Sequence, residues 1–115
     1  MPSRAVAAVR YALRGIGFLF GAPNVWVLTA ASLAALGAGA HFAISALEWC
    51  AVVLAIALVW VAEALNTALE RLTDLASPQY NPLAGKAKDI AAGAVLIAAL
   101  GAVSIGVIIF GPRLF

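Results

Sequence analysis

The sequence predicts an all-α integral membrane protein, with an N-terminal amphipathic surface helix followed by three transmembrane helices. Three observations carry that expectation. The 115 residues are 65% hydrophobic and only 10% charged, with a mean hydropathy of +1.07, whereas soluble domains carry roughly a quarter charged residues. No formally charged side chain appears between Arg14 and Glu48, or between Asp89 and Arg113. Each of three apolar stretches approaches the ~20 residues needed to cross a ~30 Å hydrocarbon core.

The net charge of +2 and the pI of about 9.1 reflect few charges rather than a basic surface. The dispersed arginines and lysines lack an aromatic platform, which argues against nucleic-acid binding. Cys50, the single cysteine, cannot form an internal disulfide. Its apolar neighbourhood predicts a buried thiol acting as a small hydrophobe.

Residues 3–20 form the first element. Arg4, Arg10, Tyr11 and Arg14 fall within an arc of about 120° on a helical wheel, and apolar residues cover much of the rest. That pattern suits a helix in the membrane interface. Ala38-Gly39-Ala40 imitates a signal-peptide cleavage site, but the apolar stretch after Arg14 exceeds the usual length of roughly 7–15 residues. Pro23 and Asn24 mark a break, and the three spans follow at about 25–47, 49–72 and 88–110. Together they are expected to use up the chain without leaving room for a soluble domain. Arg4, Arg10 and Arg14 precede the first span, while Arg71, Lys86 and Lys88 flank the second loop. The positive-inside rule therefore places the N-terminus and the Glu70–Asp89 segment in the cytoplasm. Arg113 is a single outside exception, and His41 is an interfacial residue on the opposite face. Gly37, Gly39, Gly93, Gly101 and Gly106 are expected to let helices approach closely in lipid. Three spans enclose a polar site poorly, so a homo-oligomer is expected.

The chemistry concentrates in residues 61–89. Glu63, Asn66, Glu70 and Asp74 lie on one face of the second span. Glu63 is fourteen residues beyond Trp49, so it sits ~21 Å from the outer boundary and roughly 9 Å below the cytoplasmic one. An ionised side chain at mid-membrane costs on the order of 3 kcal/mol. Glu63 must therefore be protonated, face a wet cleft or find a cation. Burial and the neighbouring Glu70 favour a raised affinity for protons, which suits a general base for a lipid hydroxyl. Glu70 is placed to hold Mg²⁺, which takes one or two carboxylates plus phosphate oxygens, and Asn66 can orient either acid. Lys88 offers charge to phosphates; Asp89 can anchor Lys88 or aid nucleotide or metal binding. The plainer reading makes Glu70, Arg71 and Asp74 ordinary interfacial charges and Lys88–Asp89 the start of a helix. Ala76–Pro82 breaks the helix, since each proline removes a donor and restricts its predecessor. Within it, Tyr80 suits an interfacial anchor or a base-stacking platform.

The stretch Glu63-Ala64-Leu65-Asn66-Thr67-Ala68-Leu69-Glu70, continued by Tyr80-Asn81-Pro82-Leu83-Ala84-Gly85-Lys86-Ala87-Lys88-Asp89 and Gly93-Ala94-Val95-Leu96, resembles the prokaryotic diacylglycerol kinase family. These are small membrane lipid kinases that include undecaprenol kinases. The resemblance covers essentially the whole chain and implies one lipid-kinase domain over residues 1–115. It also implies a homotrimer in the bacterial inner membrane, with active sites shared between subunits. The implied reaction transfers the γ-phosphate of ATP to diacylglycerol, or alternatively to undecaprenol, with Mg²⁺ assistance. By position, Glu63 is the implied base acting on the lipid, with Asn66 beside it, and Glu70 is the Mg²⁺ ligand. Lys88 and Asp89 would line the nucleotide site, with Arg4, Tyr11, Gln79, Tyr80 and Asn81 as further ATP contacts; Arg4 would also lie near the lipid. The family has no glycine-rich phosphate loop, and none is present here. One departure is that Gly21-Ala22-Pro23-Asn24 contains no carboxylate where the family often has a second metal-binding glutamate. Asn81 occupies a position that is histidine in some members. Asn81-Pro82-Leu83-Ala84 is closer to the undecaprenol branch. Two other classes compete with a kinase: a proton-coupled transporter using Glu63 as carrier, and a non-catalytic membrane partner. The transporter leaves Asn66, Glu70 and Lys88–Asp89 idle.

Overall fold

The structure, a computed structural model, describes residues 3–115. Four helices follow one another: α1 (Arg4–Leu19), α2 (Val25–His41), α3 (Ala46–Ala76) and α4 (Pro82–Leu114). Helix α1 starts where the Ser3 hydroxyl accepts from the Val6 amide at 3.2 Å, a side-chain cap that satisfies one orphan donor. Its C-terminus turns through Phe20–Asn24 into α2.

Helix α2 is shorter than expected. The apolar run continues to Leu47, but the helix ends at His41 because a turn intervenes, with Ala43 in the left-handed region at φ 49°. Ser45 then caps α3. Its hydroxyl accepts from the Glu48 amide at 3.2 Å, and the Glu48 carboxylate accepts from the Ser45 amide at 2.9 Å. This capping box outcompetes continuation of the previous helix. The 17 residues of α2 rise ~26 Å, while the 31 of α3 and 33 of α4 rise ~46 and ~50 Å. Both longer helices overrun the expected spans at each end. They are long and apolar enough to cross a membrane, and little of either is buried.

Two ion pairs mark the two ends of the antiparallel hairpin that α3 makes with α4. Arg113 near the end of α4 grips Glu48 near the start of α3, at 2.9 and 3.0 Å. At the other end Lys88 pairs with Asp74 at 2.5 Å. Arg113, expected as an isolated outside charge, is thus a partnered one. The same register sets Ala98 at about the level of Glu63, and Ala91 near Glu70; both alanines are buried. Helix α2 runs antiparallel to α3. The Trp60 indole donates to the Ser32 hydroxyl at 2.9 Å, and Ser32 donates to the Leu28 carbonyl at 2.7 Å. Gly39 packs directly under the Trp49 ring, the only one of the five span glycines with a neighbour near its absent Cβ among the described residues. The expected close approach at Gly37, Gly93, Gly101 and Gly106 is therefore not made within one chain.

The molecule measures 50 × 45 × 20 Å, and its radius of gyration is 17.3 Å. A compact domain of this length would have about 13 Å. No large side chain is fully buried among the described residues, and Leu54, Leu58, Leu65, Ile97 and Val107 all lie exposed. Cys50, expected to be buried, is exposed on this apolar surface too.

Candidate active site

Helix α3 runs from Ala46 to Ala76 without glycine or proline, so its polar residues ride on an uninterrupted rod. Glu63 is the single buried charged or polar residue among those described, at 9% exposure. No hydrogen bond or ion pair satisfies its carboxyl within the described chain. Small Ala98 across the hairpin leaves room for it. One turn on, the Asn66 amide nitrogen donates to Glu70 Oε1 at 3.2 Å, while Asn66 Oδ1 is buried without a partner. A buried polar atom without a partner is costly, and here it sits between two carboxylates. One further turn brings Asp74, paired with Lys88.

The expected stripe therefore lies on one side of α3: Glu63, Asn66 joined to Glu70, and Asp74, which Lys88 meets from α4. The charge of Glu70 is felt at Lys88. The anchor expected for Lys88 is corrected. It is Asp74 across the loop and not the adjacent Asp89. Because α4 begins at Pro82, Lys88 lies nearly two turns inside a helix, where its sequence neighbour points ~100° away. Asp89 is exposed and makes no side-chain bond among the described residues.

Other expected contacts lie apart from the stripe within this chain. Arg4 and Tyr11 are exposed on α1. Tyr11 instead lies under the Arg14 guanidinium, 5.9 Å from its ring centre. The end of α1 and the turn after it meet α3: the Phe20 and Trp60 rings lie tilted with centres 5.5 Å apart, and Leu19, Ala22 and Val25 pack on Trp60 and Ala64. A hollow of about 280 Å³ separates Gly15, Phe18 and Leu19 from Ala64, Thr67, Ala68 and Arg71, roughly a quarter turn from the stripe. Tyr80 is 91% exposed, and the Gln79 carbonyl accepts from the Ser77 hydroxyl at 3.1 Å. Asn81 has a structural role that the sequence reading missed. Its Oδ1 accepts from the Leu83 amide at 2.9 Å as the cap of α4, with Pro82 in the first turn. The Asn-Pro dipeptide before a periodic run was the available signal. Asn24, which stands where a second metal-binding acid is often found, is exposed and caps nothing.

At the opposite end the Glu48 carboxyl is held below the usual carboxylate range, first by the Ser45 amide and then by the Arg113 guanidinium. That cluster is remote from the stripe.

No group of three or more His, Cys, Asp or Glu side chains forms a metal cage among the described residues. Oxygen donors are nevertheless present at Glu70 and the orphaned Asn66 Oδ1. They suit a hard cation that takes its remaining ligands from phosphates and water.

Comparison with known proteins fits this arrangement. Undecaprenol kinase of Bacillus subtilis (strain 168) is 42% identical over 85 residues, covering 74% of this chain and 69% of that protein. A diacylglycerol kinase of Synechocystis sp. is 38% identical over 111 residues, covering 95% of this chain and 63% of that one. Diacylglycerol kinase of Escherichia coli (strain K12) is 46% identical over 46 residues, 40% of this chain and 38% of the other. The chain thus spans about two thirds of the length of the first two relatives. The family model for prokaryotic diacylglycerol kinase matches residues 10–110, from within α1 through the whole stripe to the end of the hairpin. The chain belongs to the prokaryotic diacylglycerol kinase family.

Proposed function

We propose that this member of a lipid-kinase family transfers the γ-phosphoryl group of MgATP directly to a membrane lipid alcohol, with diacylglycerol as acceptor and phosphatidic acid as product. The observation that carries the reading is the buried, unpartnered Glu63, followed along one helix face by the Asn66–Glu70 bond and opposed by Lys88. Glu63 is the base. It takes the hydroxyl proton as the lipid oxygen attacks the γ-phosphorus and the bond to the bridging oxygen of ADP breaks. Asn66 holds Glu70 in place and offers its free carbonyl oxygen to the incoming assembly. Glu70, with its second oxygen outside the Asn66 bond, would hold Mg²⁺, which supplies neutralising charge to the phosphate oxygens. Lys88 adds a point charge to the same phosphates.

The working unit is a homotrimer in the bacterial inner membrane, with α2, α3 and α4 as spans and the N-terminus in the cytoplasm. Support comes from the 20 Å thickness of the chain, its exposed apolar faces and the placement of basic residues. Arg4, Tyr11, Gln79, Tyr80 and Asp89, which stand off the stripe in their own chain, are nucleotide contacts in sites completed between copies. Undecaprenol is the second acceptor, favoured by the 42% identity to a relative of that name.

Purified protein in mixed micelles should form ADP from MgATP only when a lipid alcohol is added, and the phosphorylated lipid should accumulate in equal amount. Parallel reactions with diacylglycerol and undecaprenol identify the acceptor. ADP formation that ignores the lipid, or lipid-independent proton flux through Glu63, would overturn the kinase reading.

A further inference from the structure

Asp74 belongs to none of the roles assigned above, yet it is the residue that holds Lys88. The two side chains meet across the loop, 14 residues apart in sequence, from the last two turns of α3 and the second turn of α4. Both are substantially exposed, at 65% and 40%. An exposed pair of this kind contributes little to stability. Its presence is therefore poorly explained as a fold-stabilising contact, all the more because the hairpin is already clamped at the far end by Glu48 and Arg113.

Geometry supplies another explanation. A lysine carries three donors on a flexible four-carbon stem with many rotamers. Left alone on α4, it would sweep a wide arc. Bonded to Asp74 through one donor, it keeps two N–H groups for other partners, within reach of the Glu70 charge. Asp74 is one helical turn beyond Glu70 on the same face, so the carboxylate that fixes the lysine and the one assigned to Mg²⁺ are spaced by α3 itself. The arrangement presets an ammonium beside a carboxylate before any phosphate arrives.

We infer that Asp74 is a positioning residue that orients the Lys88 ammonium toward the phosphates of a bound nucleotide. The inference rests on the kinase reading above and extends it to a residue outside the proposed contacts. Asp74 does not touch the nucleotide. It acts through Lys88, reducing the freedom that the lysine must lose on binding.

The test is MgATP binding to purified wild type, Asp74→Asn, Asp74→Glu, Lys88→Met and the Asp74→Asn/Lys88→Met double variant, each checked for unaltered assembly by size-exclusion chromatography. Asp74→Asn is expected to weaken MgATP roughly fivefold or more, with KM raised more than kcat is lowered, and Asp74→Glu to recover part of the loss. In the Lys88→Met background Asp74→Asn should have no further effect, which a merely structural role would not produce. Tighter binding by Asp74→Asn would make Asp74 a competitor of phosphate and overturn the assignment. So would unchanged binding, or an equal loss with and without Lys88. If wild type itself binds no MgATP, the kinase reading falls together with this inference.

Discussion

Replacing Glu63 by Gln separates what the site needs for chemistry from what the fold needs for stability. The side chain is 9% exposed and has no cationic partner among the described residues. A carboxylate held at mid-membrane costs on the order of 3 kcal/mol, and less toward the interface. Gln fills the same volume, and no bond to the carboxyl is lost. The variant should therefore be as stable as wild type or more stable, by up to about 2 kcal/mol. Its turnover should fall by about 10²–10⁴, the usual contribution of a positioned base, which corresponds to roughly 3–5 kcal/mol of barrier. The KM for MgATP should stay near the wild-type value because Glu70, Asp74 and Lys88 are untouched. ADP release under saturating lipid, paired with thermal unfolding in the same detergent, measures both quantities. Turnover within tenfold of wild type would refute Glu63 as the base. Loss of turnover accompanied by loss of assembly would refute the claim that its role is chemical.

Four further outcomes follow from the packing and the charges. Trp60→Phe removes the indole donor to Ser32 but leaves the Ser32–Leu28 bond; interhelical bonds in membranes are worth about 0.6 kcal/mol on average, so unfolding in micelles should show a loss of about 1 kcal/mol or less. At Gly39 an added Cβ would sit 2.6 Å from the Trp49 ring, so Gly39→Ala should lose about 1–2 kcal/mol once overpacking of about 1–3 is set against a helix gain of up to about 1. Gly37 has nothing within 4 Å, and Gly37→Ala should gain up to about 1 kcal/mol unless a second copy packs there, which chemical unfolding of the two variants decides. Glu48 titrates at a depressed value in the fold, so its contribution is present above the unfolded carboxylate range near pH 4.3 and disappears as pH falls through the folded value; Glu48→Gln should flatten the acid limb of stability below about pH 4.3.

How much of this was legible in the sequence depended on whether the signal was local. The bounds of α1, the break at Pro23–Asn24 and the loop before Pro82 are set by charge spacing and by residues that cannot continue a helix, and they were readable. The early end of α2 was also written locally, in Ser45 and Glu48, but an apolar run extending to Leu47 masked the capping box. The stripe was legible because helical periodicity alone places Glu63, Asn66, Glu70 and Asp74 on one face. Partners across the hairpin were not. Asp74 meets Lys88, and Glu48 meets Arg113, only once the register of α3 against α4 is set by packing of small residues such as Ala91 and Ala98. No short-range pattern encodes that register, so sequence adjacency suggested Asp89 for Lys88.

The rigidity of α3 also bears on mechanism. Glu63 and Glu70 are seven residues apart on a helix without glycine or proline, so their backbones are separated by about 10 Å along the axis. One group cannot serve both ends of the reaction at that distance. The two carboxylates stand two turns apart on one face, a separation that would let Glu70 hold Mg²⁺ and its phosphate charge while Glu63 takes the proton of the accepting hydroxyl. Asn66, at the intermediate level and already bonded to Glu70, keeps its amide oxygen buried and unpaired. With Glu63 as the proposed base and Glu70 as the proposed Mg²⁺ ligand, such a ladder would favour direct in-line transfer over a phosphorylated-enzyme intermediate, because the two acids would take opposite ends of the reaction. Helix α1 stands outside this ladder, meeting α3 through Leu19 and the following turn, where Phe20 lies against Trp60.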